Sequence, residues 1–222
     1  MSEKPAIPRR AFLHSTVASS LALANCSLQG GEEKEKKTDL VDEPQVKRDF
    51  DKDGRSKKVI LVAHCVLNQN ARHVDCADFP AMMKPLLATL QEMNLGIIQM
   101  PCPELMALGL GRDRDVPPLE TIREALELPE GHGRLEPLID DLIYQIKEYQ
   151  FQELVITGIL GKNGSPACGV ETTSRAGSQG PGEGVFIELL RRRLEDEGLD
   201  IPIKGIDDFR QEETIGWVKD RV

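Results

Sequence analysis

The chain has 222 residues, with 28 Lys and Arg against 37 Asp and Glu, for a formal net charge of −9. A hydrophobic fraction of 40% suits one packed domain with appendages. The acidic balance, with one Trp and two Tyr, weighs against nucleic acid as a partner, because neither a phosphate-tracking surface nor a base-stacking platform is supplied. Five cysteines, odd in number and widely spaced, suit metal ligands or free thiols better than a disulfide framework.

The first 26 residues read as an export signal. Arg9-Arg10-Ala11-Phe12-Leu13 is followed by the weakly apolar run Ser15 to Ala24, the pattern of a twin-arginine signal peptide. That run is too short for a comfortable membrane span. Leu23-Ala24-Asn25-Cys26 resembles a lipoprotein cleavage box with Cys26 as the lipidated residue, although Asn25 stands where a small residue is usual. The reading places the protein in the periplasm or outer cell envelope, with a membrane contact through an N-terminal lipid anchor only. Residues 27–57 are dominated by Glu, Lys, Asp and Gly, so they cannot bury enough apolar area to offset the entropy of ordering. They are expected to be a disordered polar linker.

From Lys58 the pattern alternates. Lys58 to Ala63 is a continuous apolar run, the mark of a strand buried on both faces. Phe79 to Met93 carries apolar residues at helical spacing, and Leu95 to Met100 is a second strand closed by Pro101. Leu135 to Tyr149 is helical, Glu153 to Ile159 a third strand, and Glu183 to Glu197 an amphipathic helix stopped by Gly198. Ile201 to Ile206 is a fourth strand and Glu212 to Arg221 a closing helix. The alternation predicts an α/β domain over 58–222: a Rossmann-like parallel sheet of about four strands with helices on both faces.

Three cysteines sit just past strands, in turns rich in Gly, Pro or Asn: Cys65 after the first strand, Cys102 after the second, Cys168 after the third. The carboxyl ends of parallel strands share one rim, so residues distant in sequence converge there. Three thiolates on that rim make a soft site for zinc or iron–sulfur with one metal position open. Their spacing matches no zinc-finger or ferredoxin motif. A lone cysteine at a strand end is more often a small buried hydrophobe, but three on one rim strain that explanation. Cys76 has no preceding strand and is set aside. His64 is expected to point away from Cys65 if the strand continues. Glu104 could cap the segment after Pro103 or work at the site. Ser165 could serve turn chemistry or hydrogen-bond a ligand, and Arg72 could pair on the surface or bind substrate. Gly180-Pro181-Gly182-Glu183-Gly184 could cradle an anion at a helix start, or be a tight turn packed at the site.

Taken together, Cys65-Val66-Leu67 through Arg72, Cys102-Pro103-Glu104, Gly164-Ser165-Pro166 with Cys168-Gly169, and Gly182-Glu183-Gly184-Val185-Phe186 resemble the thiouracil desulfidase family, formerly a domain of unknown function. The match runs from about Lys58 to Asp208. The resemblance implies a [4Fe–4S] cluster held by Cys65, Cys102 and Cys168, with one iron lacking a protein ligand. It implies catalytic roles for Glu104 and Ser165, and nonredox removal of sulfur from a small thionated compound such as a thiouracil, with the sulfide captured by the open iron. Asn68 and Ala167 stand where the desulfidases carry Gly and Ser, which leaves the substrate open. Two other classes remain beside the desulfidase: a noncatalytic envelope protein holding a cluster, sulfide or metal, and a hydrolase with zinc on three cysteines.

Overall fold

Lys58–Ala63 (β1) is aliphatic throughout after its first residue, and the five residues after Lys58 are buried, as a central strand requires. The chain then turns through a short helix, His64–Leu67 (α1), and a 3-10 turn, Gln69–Ala71, before helix Lys84–Glu92 (α2) and strand Gly96–Met100 (β2). Helices Pro103–Leu108 (α3), Ile122–Glu127 (α4) and Pro129–Phe151 (α5) lead to strand Val155–Lys162 (β3). A hairpin of Thr172–Arg175 (β4) and Ser178–Pro181 (β5), helix Val185–Asp196 (α6), strand Ile203–Ile206 (β6) and helix Gln211–Lys219 (α7) complete the order. These elements belong to a computed structural model that describes residues 53–74, 76–112 and 121–222. The twin arginine, Cys26 and the linker as far as residue 52 lie outside the described residues.

The chain is an α/β protein. Its main sheet runs β2-β1-β3-β6, with every neighbouring pair parallel. Val59 lies opposite both Gly96 and Ile156, and Ile159 opposite Ile203, which fixes the register of all four strands. Helix α5 packs with α3, α4, α6 and β3, while α2 packs with α7. Right-handed crossovers put these two groups on opposite faces of the sheet. The core is one cluster in which Val59 to Ala63 meets Leu86 and Leu90 of α2, Leu135, Ile139 and Ile146 of α5, and Phe186 and Leu190 of α6.

The predicted elements differ from the observed ones mainly at their ends. Helix α2 begins at Lys84 rather than Phe79, α5 begins at Pro129 rather than Leu135, and β3 runs on to Lys162. From β1 the chain goes to β2 on one side, and from β3 to β6 on the other. The carboxyl edge between β1 and β3 is therefore a topological switch point, the crevice where open α/β sheets bind ligands. Among the described residues no helix is long and apolar enough to cross a membrane.

Candidate functional site

The carboxyl ends of all four parallel strands open into one cavity of about 730 Å³. Cys65, Cys102, Cys168, Glu104, Ser165 and Arg72 all line it. Cys65 lies in α1 directly after β1, and its carbonyl accepts a hydrogen bond of 2.6 Å from Nε2 of the buried Gln69. Cys102 precedes α3, whose first turn holds Pro103 and Glu104. Cys168 follows β3 after a turn, and its carbonyl accepts from the Lys162 amide at 2.7 Å, folding the loop back onto the strand end. None of these thiols is in a disulfide.

Two glycines permit that fold-back. A Cβ on Gly161 would lie 2.6 Å from the Cys168 carbonyl oxygen, and one on Gly184 would lie 2.3 Å from the Ala167 carbonyl carbon. The amides of Val185 and Phe186, at the start of α6, donate to the carbonyls of Pro166 and Ala167 at 3.0 and 3.1 Å. The glycine stretch before α6 is thus a packed turn holding the Cys168 loop. These helix-start amides are taken by backbone, which removes the anion cradle.

Ser165 and Glu104 meet. Ser165 Oγ donates to Glu104 Oε1 at 3.0 Å and accepts from the amides of Ala167 at 3.2 Å and Cys168 at 2.9 Å. The turn reading of Ser165 therefore holds, and the same hydroxyl that organises the cysteine turn also fixes the carboxylate. The other carboxylate oxygen, Glu104 Oε2, accepts from Arg112 Nε at 3.2 Å. The Arg112 side chain is only 2% exposed, and its Nη2 also reaches the Ala71 carbonyl at 2.6 Å and Cys102 Sγ at 3.7 Å. Sequence reasoning missed Arg112, which lies in a loop with no period or spacing to single it out.

On the β3–β6 side, Arg72 Nη1 pairs with Asp78 Oδ2 at 2.9 Å and Asp208 Oδ2 at 3.2 Å. Lys162 Nζ pairs with the same Asp208 oxygen at 2.9 Å. Burial works against the Asp208 charge, but the hydrogen bond and charge of Lys162, then a side-chain hydrogen bond with Asp78 and the charge of Arg72, hold its carboxyl below the usual carboxylate range. Asp208 Oδ1 is buried without a hydrogen-bond partner. The carboxyl-edge rule that located the cysteines also applied to Asp207-Asp208-Phe209 directly after the fourth strand, and was not carried that far.

Burial dominates the thiols. It pushes Cys65 up to about 12 against the pull of Arg72 and Lys162, and it raises Cys102 and, to well above the ordinary value, Cys168. His64 is not turned away: α1 begins at this residue, so strand alternation has ended, and its ring lines the cavity with Nδ1 2.8 Å from Gln99 Nε2. Burial, then the nearby Arg112 charge, lowers its pKa. Cys76 also lines the cavity and is exposed. The two departures from the desulfidase pattern do not line it: Asn68 caps the 3-10 turn by accepting from the Asn70 amide, and Ala167 is fully buried against Gly184.

No family model matches the chain. Over 153 residues it is 25% identical to an uncharacterized protein of Methanocaldococcus jannaschii, a match covering 69% of this chain and 86% of that protein. A solved structure of the [4Fe–4S]-dependent thiouracil desulfidase TudS aligns with a TM-score of 0.46 at 22% identity, over 74% of this chain and 99% of that one.

Proposed function

We propose that the protein is an iron–sulfur desulfidase that removes sulfur hydrolytically from a small thionated compound. Cys65, Cys102 and Cys168 would hold a [4Fe–4S] cluster with one iron free of protein ligands. One observation carries the reading: three thiols from three separate strand ends line the same cavity as a hydrogen-bonded Glu104–Ser165 pair. The donor set supports the group, since three soft thiols without a hard ligand among them match iron–sulfur binding. Zinc on three cysteines draws on the same thiols, and metal analysis separates the two. Among the described residues no three His, Cys, Asp or Glu form a group that could hold a metal ion, which weighs equally on zinc and on a cluster.

A bound cluster of this kind supplies a Lewis-acidic iron with affinity for sulfur. The chain's own residues supply the rest. Glu104 is clamped by Ser165 on one oxygen and Arg112 on the other, so its carboxylate is oriented before substrate arrives. It accepts a proton from the water that adds to the thiocarbonyl carbon. The C–S bond then breaks as the added hydroxyl gives up its proton to leave the oxo compound, and that proton together with the one held by Glu104 goes to the departing sulfur, which leaves as hydrogen sulfide. Arg72, a substrate-binding candidate from the sequence, lines the cavity wall with Asp78 and Asp208 paired on its guanidinium.

Export by the twin-arginine route and lipidation at Cys26 belong to the same proposal, because that route carries proteins already folded around a cofactor. Arg9→Lys with Arg10→Lys should leave the protein in the cytoplasm, and continued export would refute that part. For the activity, anaerobic reconstitution should yield about four irons per chain, with sulfide released from a thiouracil. Stoichiometric zinc alone would overturn the assignment. An intact cluster with no turnover of any thioamide would favour the noncatalytic binding protein.

A further inference from the structure

The start of β4 braces the turn that carries Ser165. Thr173 is buried, and its Oγ1 donates to the Ser165 carbonyl at 3.1 Å. We propose that Thr173 is a positioning residue for the Glu104–Ser165 pair, holding the Ser165 backbone so that the serine hydroxyl stays directed at the carboxylate. The inference rests on the desulfidase reading for what Glu104 does, and on the hydrogen bonds around Ser165 for how it is held.

The direction of each proton follows from which groups can only accept and which can only donate. A carbonyl only accepts, so the Thr173 proton goes to Ser165. A guanidinium only donates, so Arg123 Nη1, at 3.4 Å, meets a lone pair of the same hydroxyl. Arg123 is buried and fixed in turn by Glu127 at 2.7 Å, Glu188 at 2.9 Å and the Glu183 carbonyl at 2.8 Å. The Thr173 hydroxyl therefore has one orientation. The same count applies to Ser165. Its Oγ accepts from the amides of Ala167 and Cys168, so its proton goes to Glu104 Oε1 at 3.0 Å. Arg123, Thr173 and Glu104 are thereby linked, with Ser165 as the joint.

The Ser165 backbone is held from two directions. Its amide donates to the Lys162 carbonyl at 3.2 Å, and its carbonyl accepts from the Gly169 amide at 3.0 Å, both within the turn itself. Thr173 adds the hold from outside that turn. The packing there is close: a Cβ on Gly169 would lie 2.8 Å from the Ser165 carbonyl oxygen and 3.1 Å from Thr173 Cβ. Beside it, the Gly164 amide donates to the Thr172 carbonyl at 3.0 Å, so β4 clasps both Gly164 and Ser165. A valine would fill a buried β4 position equally well, since strands favour β-branched residues. A buried hydroxyl costs free energy unless it is bonded, and here both of its bonds lead toward the candidate site.

Thr173→Val keeps the shape and removes the hydroxyl, while Thr173→Ser keeps the hydroxyl and removes a methyl. Two measurements on the full-length protein separate positioning from stability alone. In the cluster-free protein, the amide protons of Ala167 and Cys168 should move upfield in Thr173→Val as their bonds to Ser165 Oγ lengthen, with those of Ile139 and Leu142 in α5 unmoved. A loss of stability alone leaves the shifts of the folded state where they were. In the cluster-loaded protein, kcat for sulfide release from 2-thiouracil should fall about tenfold per iron-loaded chain, with KM changed by less than about twofold. Thr173→Ser should return both readouts to near wild type. Unmoved amide shifts at Ala167 and Cys168, or an unchanged kcat in an active enzyme, overturns the inference. If the wild-type protein releases no sulfide from any thioamide, the desulfidase reading falls, and the amide shifts alone decide whether Thr173 holds Ser165.

Discussion

Replacing Arg112 with Met removes every donor of the most heavily engaged cation at the cavity while keeping most of its volume. The guanidinium is 2% exposed and bonds Glu104 Oε2 at 3.2 Å, the Ala71 carbonyl at 2.6 Å and the Leu110 carbonyl at 2.8 Å. Taking one partner from a buried ion pair costs about 3–5 kcal/mol, because the remaining charge is left in a poor environment. The Leu110 carbonyl, on an exposed residue, recovers much of its bond from water, and Ala71 recovers less. A loss of about 4 kcal/mol follows, or a fall in Tm of roughly 10–15 °C for a domain of this size.

Urea denaturation of the cluster-free protein measures the loss, and a double-mutant cycle assigns it. Glu104→Gln removes the charge that Arg112→Met strands, so the double variant should be more stable than the sum of the singles predicts by about 2 kcal/mol. A cost below about 1 kcal/mol for Arg112→Met, or additive single effects, would mean that Arg112 and Glu104 do not depend on each other. The orientation assigned to the catalytic carboxylate would then have no support.

Iodoacetamide applied to the cluster-free protein at neutral pH should modify the exposed Cys76 and spare Cys65, Cys102 and Cys168, whose thiols burial keeps protonated; equal labelling of all four would contradict the burial. Cluster loading must displace protons from those thiols, so iron incorporation should become more favourable from pH 6.5 to about 8.5, and a flat profile would refute the coupling. For the cluster-free protein the sign is opposite. The Cys65 thiol, raised from 9.0 to about 12, adds stability that is complete below 9.0 and is lost as pH rises through about 12, which denaturation across that window would detect. Gly184→Ala drives a Cβ to 2.3 Å from the Ala167 carbonyl carbon and should destabilise the fold by about 2 kcal/mol or more and impair iron retention. Gly216→Ala, in α7 with nothing within 4 Å, should stabilise by about 0.5–1 kcal/mol and leave iron binding untouched.

The main sheet was legible because its strands are short apolar runs, and a run buried on both faces has few other readings. The cysteine rim followed from the sheet, since position after a strand in a parallel sheet fixes position in space. The elements that escaped are those without a usable period. α3 and α4 have six residues each, too few to display helical spacing, and β4 and β5 are short polar strands in a hairpin of their own. His64 was misdirected for a related reason, because the strand ends one residue before it and α1 re-aims the ring. Arg112 escaped because its importance lies in what surrounds it. An Arg in a Gly-rich loop carries no sign that it will be buried against a carboxylate and a thiol.

The ionic pairs explain why the cavity wall suits soft chemistry. Three thiols whose pKa values burial raises cannot all become thiolates without a strong local positive charge. The cations on the wall do not supply it: Arg72, Arg112 and Lys162 are each tied to a carboxylate, and the pull of Arg72 and Lys162 on Cys65 leaves its thiol at about 12. The charge that ionises the thiols has to arrive with the ligand they bind, as it does when iron coordinates sulfur. The same pairing holds Glu104 between Ser165 and Arg112 before substrate arrives. On the proposed reading, a wall whose charges are already matched, around thiols that a metal would ionise, suits a compound whose reactive atom is itself a soft sulfur.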